Sequence, residues 1–385
     1  MKIGLVTTYR IDNYGTKLQA YAMQTILQAK SDEVCLIDYY SSFDMRFHVV
    51  VAKIYKKVRS LFDRKNGKDR KVCSEYMEKR HAAISSFDKY YELSPAIRGY
   101  ANLKAIVGSY DCFVCGSDQI WAESNNVTDF FNLNFVAGKK PTVAYAPSFG
   151  TSQITKPMRK AYKEYLRRIN FISVRENSGV GIIKQLIGRD VQQVLDPTLL
   201  VDKEMWEGLI KEDGCKTTGQ KYIFCYFLGR NPSHRKFVSH LSKQTGLEVV
   251  NIAHMKGFCS ADESLAGQKL YDVSPPMFLN LIKNAQYVCT DSFHGTVFSI
   301  IFGKNFYTFE RFISTCQEST NSRIYSLLDM FGLEGRIIKA DEVSCKELTT
   351  IDYGTVYRKL HEERGRSLDF LYSALEKIRR NENNR

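Results

Sequence analysis

A turn in the last third of the chain combines residue types that transfer protons. Thr290–Gly303 reads TDSFHGTVFSIIFG, in which an apolar strand ends at Asp291 and a polar turn presents Ser292 and His294 before an apolar helix. Imidazole exchanges protons near neutral pH, and a histidine at such a turn faces the space beyond the strand. We therefore predict that His294 is a catalytic acid or base, the alternative being a structural histidine.

The sequence FISVRE places a cation where another apolar strand ends. Arg175 carries the planar fork that binds a carboxylate or phosphate through two parallel N–H groups. The alternative is a salt bridge to Glu176 or Asp196. The loop YAPSFG, earlier in the chain, adds the hydroxyl of Ser148 to the predicted site.

Two further loops carry polar groups suited to a sugar. In CGSDQIW, Asp118 and Gln119 offer donors and acceptors and Trp121 offers an aromatic face, although Ser117 or Asp118 also fits a helix N-cap. In YRIDNYGTKLQAYAMQ, the turn before a helix has free backbone N–H groups that receive an anion or sugar hydroxyls. From this second loop we select Asn13, Tyr14, Gly15 and Gln19.

These loops follow short apolar runs that alternate with amphipathic stretches, a pattern typical of βαβ units in a parallel sheet. The first series is Ile3–Thr7, Val34–Asp38, Cys112–Cys115, Thr142–Ala146, Phe171–Val174 and Gln193–Leu195. The second series is Tyr222–Phe227, Glu248–Ile252, Tyr287–Thr290 and Phe306–Phe309. We predict an α/β fold of two Rossmann-like domains facing a cleft, with ligands at the carboxyl ends of the strands.

A polar stretch at Thr217–Gln220 is the predicted linker between the two domains. We expect an N-terminal domain at 1–216 with a basic helical insertion at about 45–100. We expect a C-terminal domain at 217–345 that carries the turn with His294, and a helical extension at 346–385.

Composition limits the function classes. The 385 residues include 55 Lys plus Arg and 42 Asp plus Glu, a net charge of +13 that attracts phosphates, carboxylates or an anionic membrane. No apolar run is long enough for a membrane span, and no signal peptide is evident, so we expect a cytoplasmic protein. The absence of G-x-G-x-x-G after any strand argues against a nicotinamide cofactor, and we expect no metal, other cofactor or nucleic-acid partner.

A basic segment lies within the insertion. Val50–Phe62 places its apolar residues on one helical face and its lysines on the other, and the basic run continues to Lys71. Two interpretations stay open, a helix packed on the sheet or a helix lying on an anionic membrane surface. In the second, the protein is peripheral at the inner face of the membrane.

The motifs NYGTKLQAYAMQ, GSDQIW, YAPSFG, ISVRE, VLDPTLL and TDSFHGTVFSIIFG, in that order, resemble the polysaccharide pyruvyl transferase family. The resemblance covers residues 1 to about 332 apart from the insertion. It implies a glycosyltransferase-B-like pair of domains, with the acceptor side of the cleft in 1–216 and the donor and the catalytic loop in 217–345. It also implies transfer of a pyruvyl group from phosphoenolpyruvate to two hydroxyls of a saccharide, forming a ketal.

The resemblance implies roles for individual residues. His294 is then catalytic and Arg175 binds the donor. Some relatives carry an arginine at the position of Ser292, so we assign Ser292 to the donor side and expect Arg323 or Lys304 to supply the missing charge. The expected residues for a saccharide acceptor, taken to be lipid-linked, are Asn13, Tyr14, Gly15, Gln19, Asp118, Gln119, Trp121 and Ser148.

Two rival functions stay open. A sugar-nucleotide glycosyltransferase of the same fold is one, since Glu310 and Glu318 have the E-x7-E spacing of some retaining members. The other is a sugar-binding or nucleotide-binding protein without catalysis.

Overall fold

The computed structural model describes residues 1–41, 67–125, 129–215, 219–255, 257–311, 321–343 and 350–383. The predicted basic helix Val50–Phe62 lies outside these ranges, as do Glu318 and part of the predicted linker, Thr217 and Thr218. The membrane interpretation of the basic segment therefore stays a prediction. Among the helices in the described ranges, none has the length and apolar character that crossing a bilayer requires.

The strands in these ranges are short, as expected for a parallel α/β protein. In chain order they are β1 (Lys2–Val6), β2 (Glu33–Leu36), β3 (Tyr39–Tyr40), β4 (Ile97–Arg98), β5 (Cys112–Cys115), β6 (Thr142–Ala144), β7 (Phe171–Val174), β8 (Gln192–Gln193), β9 (Tyr222–Tyr226), β10 (Glu248–Ile252), β11 (Gln268–Leu270), β12 (Tyr287–Thr290), β13 (Asn305–Phe309) and β14 (Ile337–Ile338).

The described helices connect these strands. In chain order they are α1 (Tyr14–Gln28), α2 (Gly67–Ser85), α3 (Tyr100–Ala105), α4 (Arg159–Arg168), α5 (Asn177–Ile187), α6 (Pro197–Leu200), α7 (Lys203–Glu212), α8 (Pro232–Thr245), α9 (Ser260–Glu263), α10 (Pro275–Asn284), α11 (Phe293–Ile301), α12 (Ser322–Phe331) and α13 (Tyr353–Asn383). Short 3₁₀ turns occur at Ser86–Tyr90, Ile106–Ser109, Glu123–Asn125, Asn134–Val136, Lys156–Met158 and Glu334–Arg336.

Two six-stranded parallel sheets form the framework, which confirms the predicted fold class. Their strand orders are β2-β1-β5-β6-β7-β8 and β11-β10-β9-β12-β13-β14, and β3 pairs with β4 in a small third sheet. Each predicted apolar run corresponds to an observed strand, with ends that differ by at most about two residues. All five residues of β9 are buried, because helices cover both faces of a parallel sheet.

The strand orders place a switch point at the centre of each sheet. In the first sheet, β1 has β2 on one side and β5 on the other. In the second sheet, β9 has β10 on one side and β12 on the other. Loops at a switch point diverge above the sheet and leave a crevice at the carboxyl ends of the strands. The fold therefore opens one crevice above β1 and β5 and another above β9 and β12.

Long-range contacts tie the two halves together. Helix α13 follows the second sheet in the chain but packs on the first half, where the Leu195 backbone N–H donates to Ser367 Oγ at 3.0 Å. Helix α2 belongs to the first half but contacts the second, because Arg80 donates to the backbone carbonyls of Ala253 and His254. The two crevices therefore face each other across one cleft.

Candidate functional site

A cleft of about 250 Å³ lies where the loops above both switch points meet. Its first wall comes from the segment after β1 and the loop after β5, and its second wall from residues after β9, β12 and β13 and the start of α12. The lining residues are Thr8, Ile11, Asn13, Thr16, Asp118, Gln119, Asn125, Leu228, Ser292, Phe293, His294, Arg311 and Arg323. Residues from both ends of the sequence thus share one ligand-sized space.

His294 lies in the first turn of α11, on the second wall. Its side chain is nearly buried, and Nε2 has no hydrogen-bond partner, although Asp196 Oδ2 lies 3.7 Å away. The predicted acid or base therefore lines the cleft, with its buried Nε2 next to the Asp196 carboxylate.

Gly15, in the first turn of α1, contacts the His294 ring from the opposite wall. A Cβ at position 15 would lie 2.0 Å from His294 Nδ1 and 2.3 Å from Cγ, well inside van der Waals contact. Glycine is required here because the backbone of α1 reaches the imidazole directly. The residue predicted to bind an acceptor therefore packs against the catalytic candidate.

Arg175 is buried behind His294 and pairs with Asp196. Its Nη1 donates to Asp196 Oδ2 at 2.8 Å, so the salt-bridge alternative is observed. Nε and Nη2 have no hydrogen-bond partner and lie 3.7 Å from Glu176 and Asp118 respectively. Burial alone would lower the pKa of Arg175, but Asp196 and Asp118 reverse the effect and raise it. Arg175 is therefore a buried cation fixed among three carboxylates, next to the cleft but outside its lining.

Arg323 brings a second buried cation to the same region. Burial, and next the positive charge of Arg175, lower the pKa of Arg323 to about 9. Two guanidinium groups that repel each other mark a place where a bound anion would relieve the repulsion. The other expected substitute, Lys304, is absent from the cleft lining, because its ammonium donates to the Lys283 carbonyl at 2.8 Å.

Asp118 is the carboxylate on the first wall. Its backbone has a φ of 61°, in the left-handed region, and its Oδ2 accepts from Thr16 Oγ1 at 3.0 Å. Burial raises the pKa of Asp118, but the charges of Arg175, His294 and Arg323 lower it below its ordinary value. An ionised carboxylate lining the cleft can accept hydrogen bonds from hydroxyl groups.

Asn13 and Gln119 also line the first wall, as predicted for acceptor contacts, but other predicted acceptor residues do not. Gln19 is fully buried: its Nε2 donates to the Thr8 carbonyl and its Oε1 accepts from the Ser117 N–H at 3.1 Å. It therefore joins the loops after β1 and β5 and does not line the cleft, contrary to the expected position for an acceptor contact.

Three more predicted acceptor residues belong to the core. The Trp121 ring is 1% exposed and packs on Phe149, so it offers no stacking surface. Ser148 is fully buried, and its hydroxyl donates to Glu176 Oε1 at 2.7 Å. Tyr14 is also fully buried, stacked on a phenylalanine of α10. In the sequence, the polar residues around them gave no indication that these side chains point into the core.

Ser292 lines the cleft but acts as the N-cap of α11. Its Oγ accepts from the Gly295 N–H at 3.3 Å. The neighbouring Asp291 accepts from the backbone N–H groups of Leu228 and Gly229, each at 2.7 Å, and fixes the loop after β9. The donor assignment of Ser292 stays a prediction, and its observed contact is structural.

Sequence reasoning missed Thr16, Asn125 and Arg311 as lining residues. Arg311 follows β13; its Nη2 donates to the Asp291 carbonyl at 2.7 Å, while its buried Nε has no partner. The signal available was its place just after an apolar strand, the same position that singled out Arg175. The second wall therefore carries two arginines, Arg311 and Arg323, beside His294.

Glu310, the first residue of the E-x7-E pattern, is not among the described residues that line the cleft. Glu310 Oε1 accepts from the Tyr325 hydroxyl and from Lys339 Nζ, the latter at 2.7 Å, and Glu318 lies outside the described ranges. Across the residues that the structure describes, no cluster of three or more His, Cys, Asp or Glu is arranged to hold a metal ion.

Solved structures with a similar fold act on activated sugars, according to their names. The UDP-GlcNAc 2-epimerase from Neisseria meningitidis, bound to UDP-GlcNAc, aligns with 98% of this chain and 100% of its own, with 10% identity and a TM-score of 0.50. The Escherichia coli ADP-heptose LPS heptosyltransferase II aligns over 95% and 99%, with 10% identity and a TM-score of 0.38. The fold is glycosyltransferase-B-like.

Sequence comparison identifies the family. No curated protein matches this sequence. The sequence profile described as Polysaccharide pyruvyl transferase, however, matches residues 13–311, a range that includes α1, the loop after β5, Arg175 and the His294 turn. The chain belongs to the polysaccharide pyruvyl transferase family.

Proposed function

We propose that the protein transfers the pyruvyl group of phosphoenolpyruvate to two hydroxyl groups of a saccharide, forming a cyclic ketal and releasing phosphate. The observation that carries the proposal is the division of charge in the cleft. His294, Arg311 and Arg323 lie on one wall, with Arg175 behind them, and uncharged polar groups with Asp118 lie on the other. Phosphoenolpyruvate is a small dianion or trianion, and arginines bind its carboxylate and phosphate groups.

The reaction needs proton transfer but no net redox change. A proton adds to the methylene carbon of phosphoenolpyruvate, and one sugar hydroxyl adds to the adjacent carbon. Phosphate then leaves with a proton, and the second hydroxyl closes the ketal ring. The two protons gained, on the methyl group and on phosphate, equal the two lost by the hydroxyls. His294, which lines the cleft, is the proposed proton donor.

The arginines supply electrostatic stabilisation in this scheme. Charge builds up on the phosphate as it leaves, and preformed cations in a site with little water stabilise that charge without rearranging. Arg175 is held in advance by Asp196, which reduces the entropy cost of binding. Asn13, Thr16, Gln119 and Asp118 are the proposed contacts for the saccharide hydroxyls.

The acceptor is proposed to be a sugar of a cell-surface polysaccharide or of its lipid-linked precursor. This class follows from the family description, since the family is named for polysaccharide substrates. In this proposal the enzyme works on the cytoplasmic side, before export of the saccharide.

Ligand-induced thermal stabilisation tests the proposal against the sugar-nucleotide alternative. A ligand at about one hundred times its Kd adds roughly 2.7 kcal/mol of stability. Phosphoenolpyruvate should raise Tm in the wild type and should do so much less in Arg175→Ala, whereas UDP-GlcNAc should have no effect. Stabilisation by UDP-GlcNAc together with none by phosphoenolpyruvate would contradict the proposal and favour a glycosyltransferase.

A further inference from the structure

We infer that Asp196 is a positioning residue: it orients Arg175 in the first half of the molecule and His294 in the second. The roles of those two residues rest on the proposed function. Asp196 follows β8 in the first half, whereas His294 lies in the first turn of α11 in the second half. One carboxylate therefore lies next to the proposed proton donor and next to the proposed donor-binding arginine.

The contacts of Asp196 fix each of its oxygens. Oδ1 accepts from the backbone N–H of Thr198 at 3.0 Å and from its hydroxyl at 2.7 Å. Oδ2 accepts from Arg175 Nη1 at 2.8 Å and from Ser117 Oγ at 3.2 Å, and His294 Nε2 lies 3.7 Å away. The carboxylate is 1% exposed, so water does not compete for these positions. Its orientation is therefore set before any ligand binds.

The His294 contact places the Asp196 carboxylate beside one ring nitrogen, Nε2. A buried carboxylate beside an imidazole restricts the rotation of the ring. At 3.7 Å the contact is too long for a hydrogen bond but strong enough, in a site shielded from water, for an attractive charge interaction. Gly15 closes the other side of the ring, so the imidazole is held between two groups of the first half.

The Arg175 contact fixes one side of the guanidinium. Asp196 accepts from Nη1 only, while Nε and Nη2 make no hydrogen bond and lie 3.7 Å from Glu176 and Asp118 respectively. Those two nitrogens form one edge of the guanidinium plane, the kind of edge that binds a carboxylate or phosphate through two bonds. Asp196 thus orients the arginine without forming a hydrogen bond to that edge.

Enzyme kinetics on Asp196→Asn, with Ser117→Ala as the matched control, test the inference. Both variants change a contact to Oδ2, but only Asp196→Asn removes the charge. We expect kcat to fall by about 10²-fold or more in Asp196→Asn, with a several-fold rise in the KM for phosphoenolpyruvate, and less than about threefold change in Ser117→Ala. A residue that served stability alone would lower the folded fraction and leave kcat per folded molecule and KM unchanged.

A spectroscopic measurement separates this inference from the proposed function. The ring nitrogen signals of His294, identified by their loss in His294→Gln, are observed by NMR in the unliganded protein at fixed pH. We expect them to move in Asp196→Asn and to stay in place in Ser117→Ala. Unchanged signals in Asp196→Asn would overturn the inference even if the enzyme uses phosphoenolpyruvate. Wild-type protein that fails to turn over phosphoenolpyruvate would instead overturn the proposed function.

A second variant covers the case in which Asp196→Asn does not fold. Asp196→Glu keeps the charge but displaces the carboxylate by one methylene group. We expect kcat to fall less than in Asp196→Asn and the His294 signals to shift. A folded Asp196→Glu enzyme with unchanged kcat and unchanged His294 signals would contradict a positioning role.

Discussion

Replacing Gly15 with alanine should inactivate the enzyme by displacing a side chain of the opposite wall. The new Cβ would lie 2.0 Å from His294 Nδ1 and 2.7 Å from His294 Cβ. Ordinary contact between such atoms begins beyond 3.4 Å, so the ring or α1 must retreat by at least about 1 Å. A displacement of that size at a catalytic group costs about 10²-fold in rate.

The same substitution should change stability much less than activity. Alanine is the better helix former by about 1 kcal/mol, whereas overpacking costs roughly 1–3 kcal/mol, so the two effects partly cancel. Steady-state kinetics and thermal unfolding of Gly15→Ala measure both. Gly181→Ala in α5 and Gly208→Ala in α7 are matched controls, because a Cβ at either position meets no atom within 4 Å. The controls should keep full activity. Gly15→Ala with activity within a few-fold of wild type would refute the contact between α1 and a catalytic His294.

Substitutions at four further positions separate effects on binding from effects on stability. Arg175→Ala should raise the KM for phosphoenolpyruvate by about 10- to 100-fold and Arg175→Lys should rescue it in part, because a point charge cannot replace the bidentate fork; a change confined to the acceptor KM would contradict this assignment. Arg323→Gln should weaken phosphoenolpyruvate binding in a titration, because it removes a cation that lines the cleft; unchanged affinity would contradict this assignment. Arg80→Ala should lower the free energy of unfolding in urea by about 3 kcal/mol, whereas its exposed neighbour Lys79→Ala should change it little. Ser292→Ala should cost about 1 kcal/mol of stability through the lost N-cap, and a large loss of donor affinity would instead support direct donor binding.

The sequence pattern was sufficient to predict the strands and the edge at which the site lies. Apolar runs that end in polar turns can be recognised from the sequence alone, and the carboxyl ends of parallel strands meet at one edge of a sheet. The positions of His294 and Asp118 in the cleft could therefore be predicted from their places just after strands. The approach of Asp196 to His294 depends on how two halves of the chain face each other. No local pattern encodes that orientation.

Side-chain direction within the loops was harder to predict. Trp121 follows a polar turn, which favours exposure, yet the chain turns back after Asp118 and buries the ring against Phe149. Asp118, in the same loop, has a left-handed backbone conformation. This conformation could not be predicted, because glycine, the residue that usually indicates it, is absent from that position. Such conformations occur at functional sites because the surrounding structure holds them in place.

The most direct test of the central claim follows the pyruvyl carbons. Phosphoenolpyruvate carrying an isotopic label at its central carbon is incubated with the protein and a panel of aryl hexosides and N-acetylhexosaminides, and the products are observed by carbon and phosphorus NMR. The proposed function predicts that a ketal carbon signal and inorganic phosphate appear together, only when a saccharide is present, and not with His294→Gln. Phosphate release without a ketal, or sugar transfer from UDP-GlcNAc in place of any reaction with phosphoenolpyruvate, would contradict it.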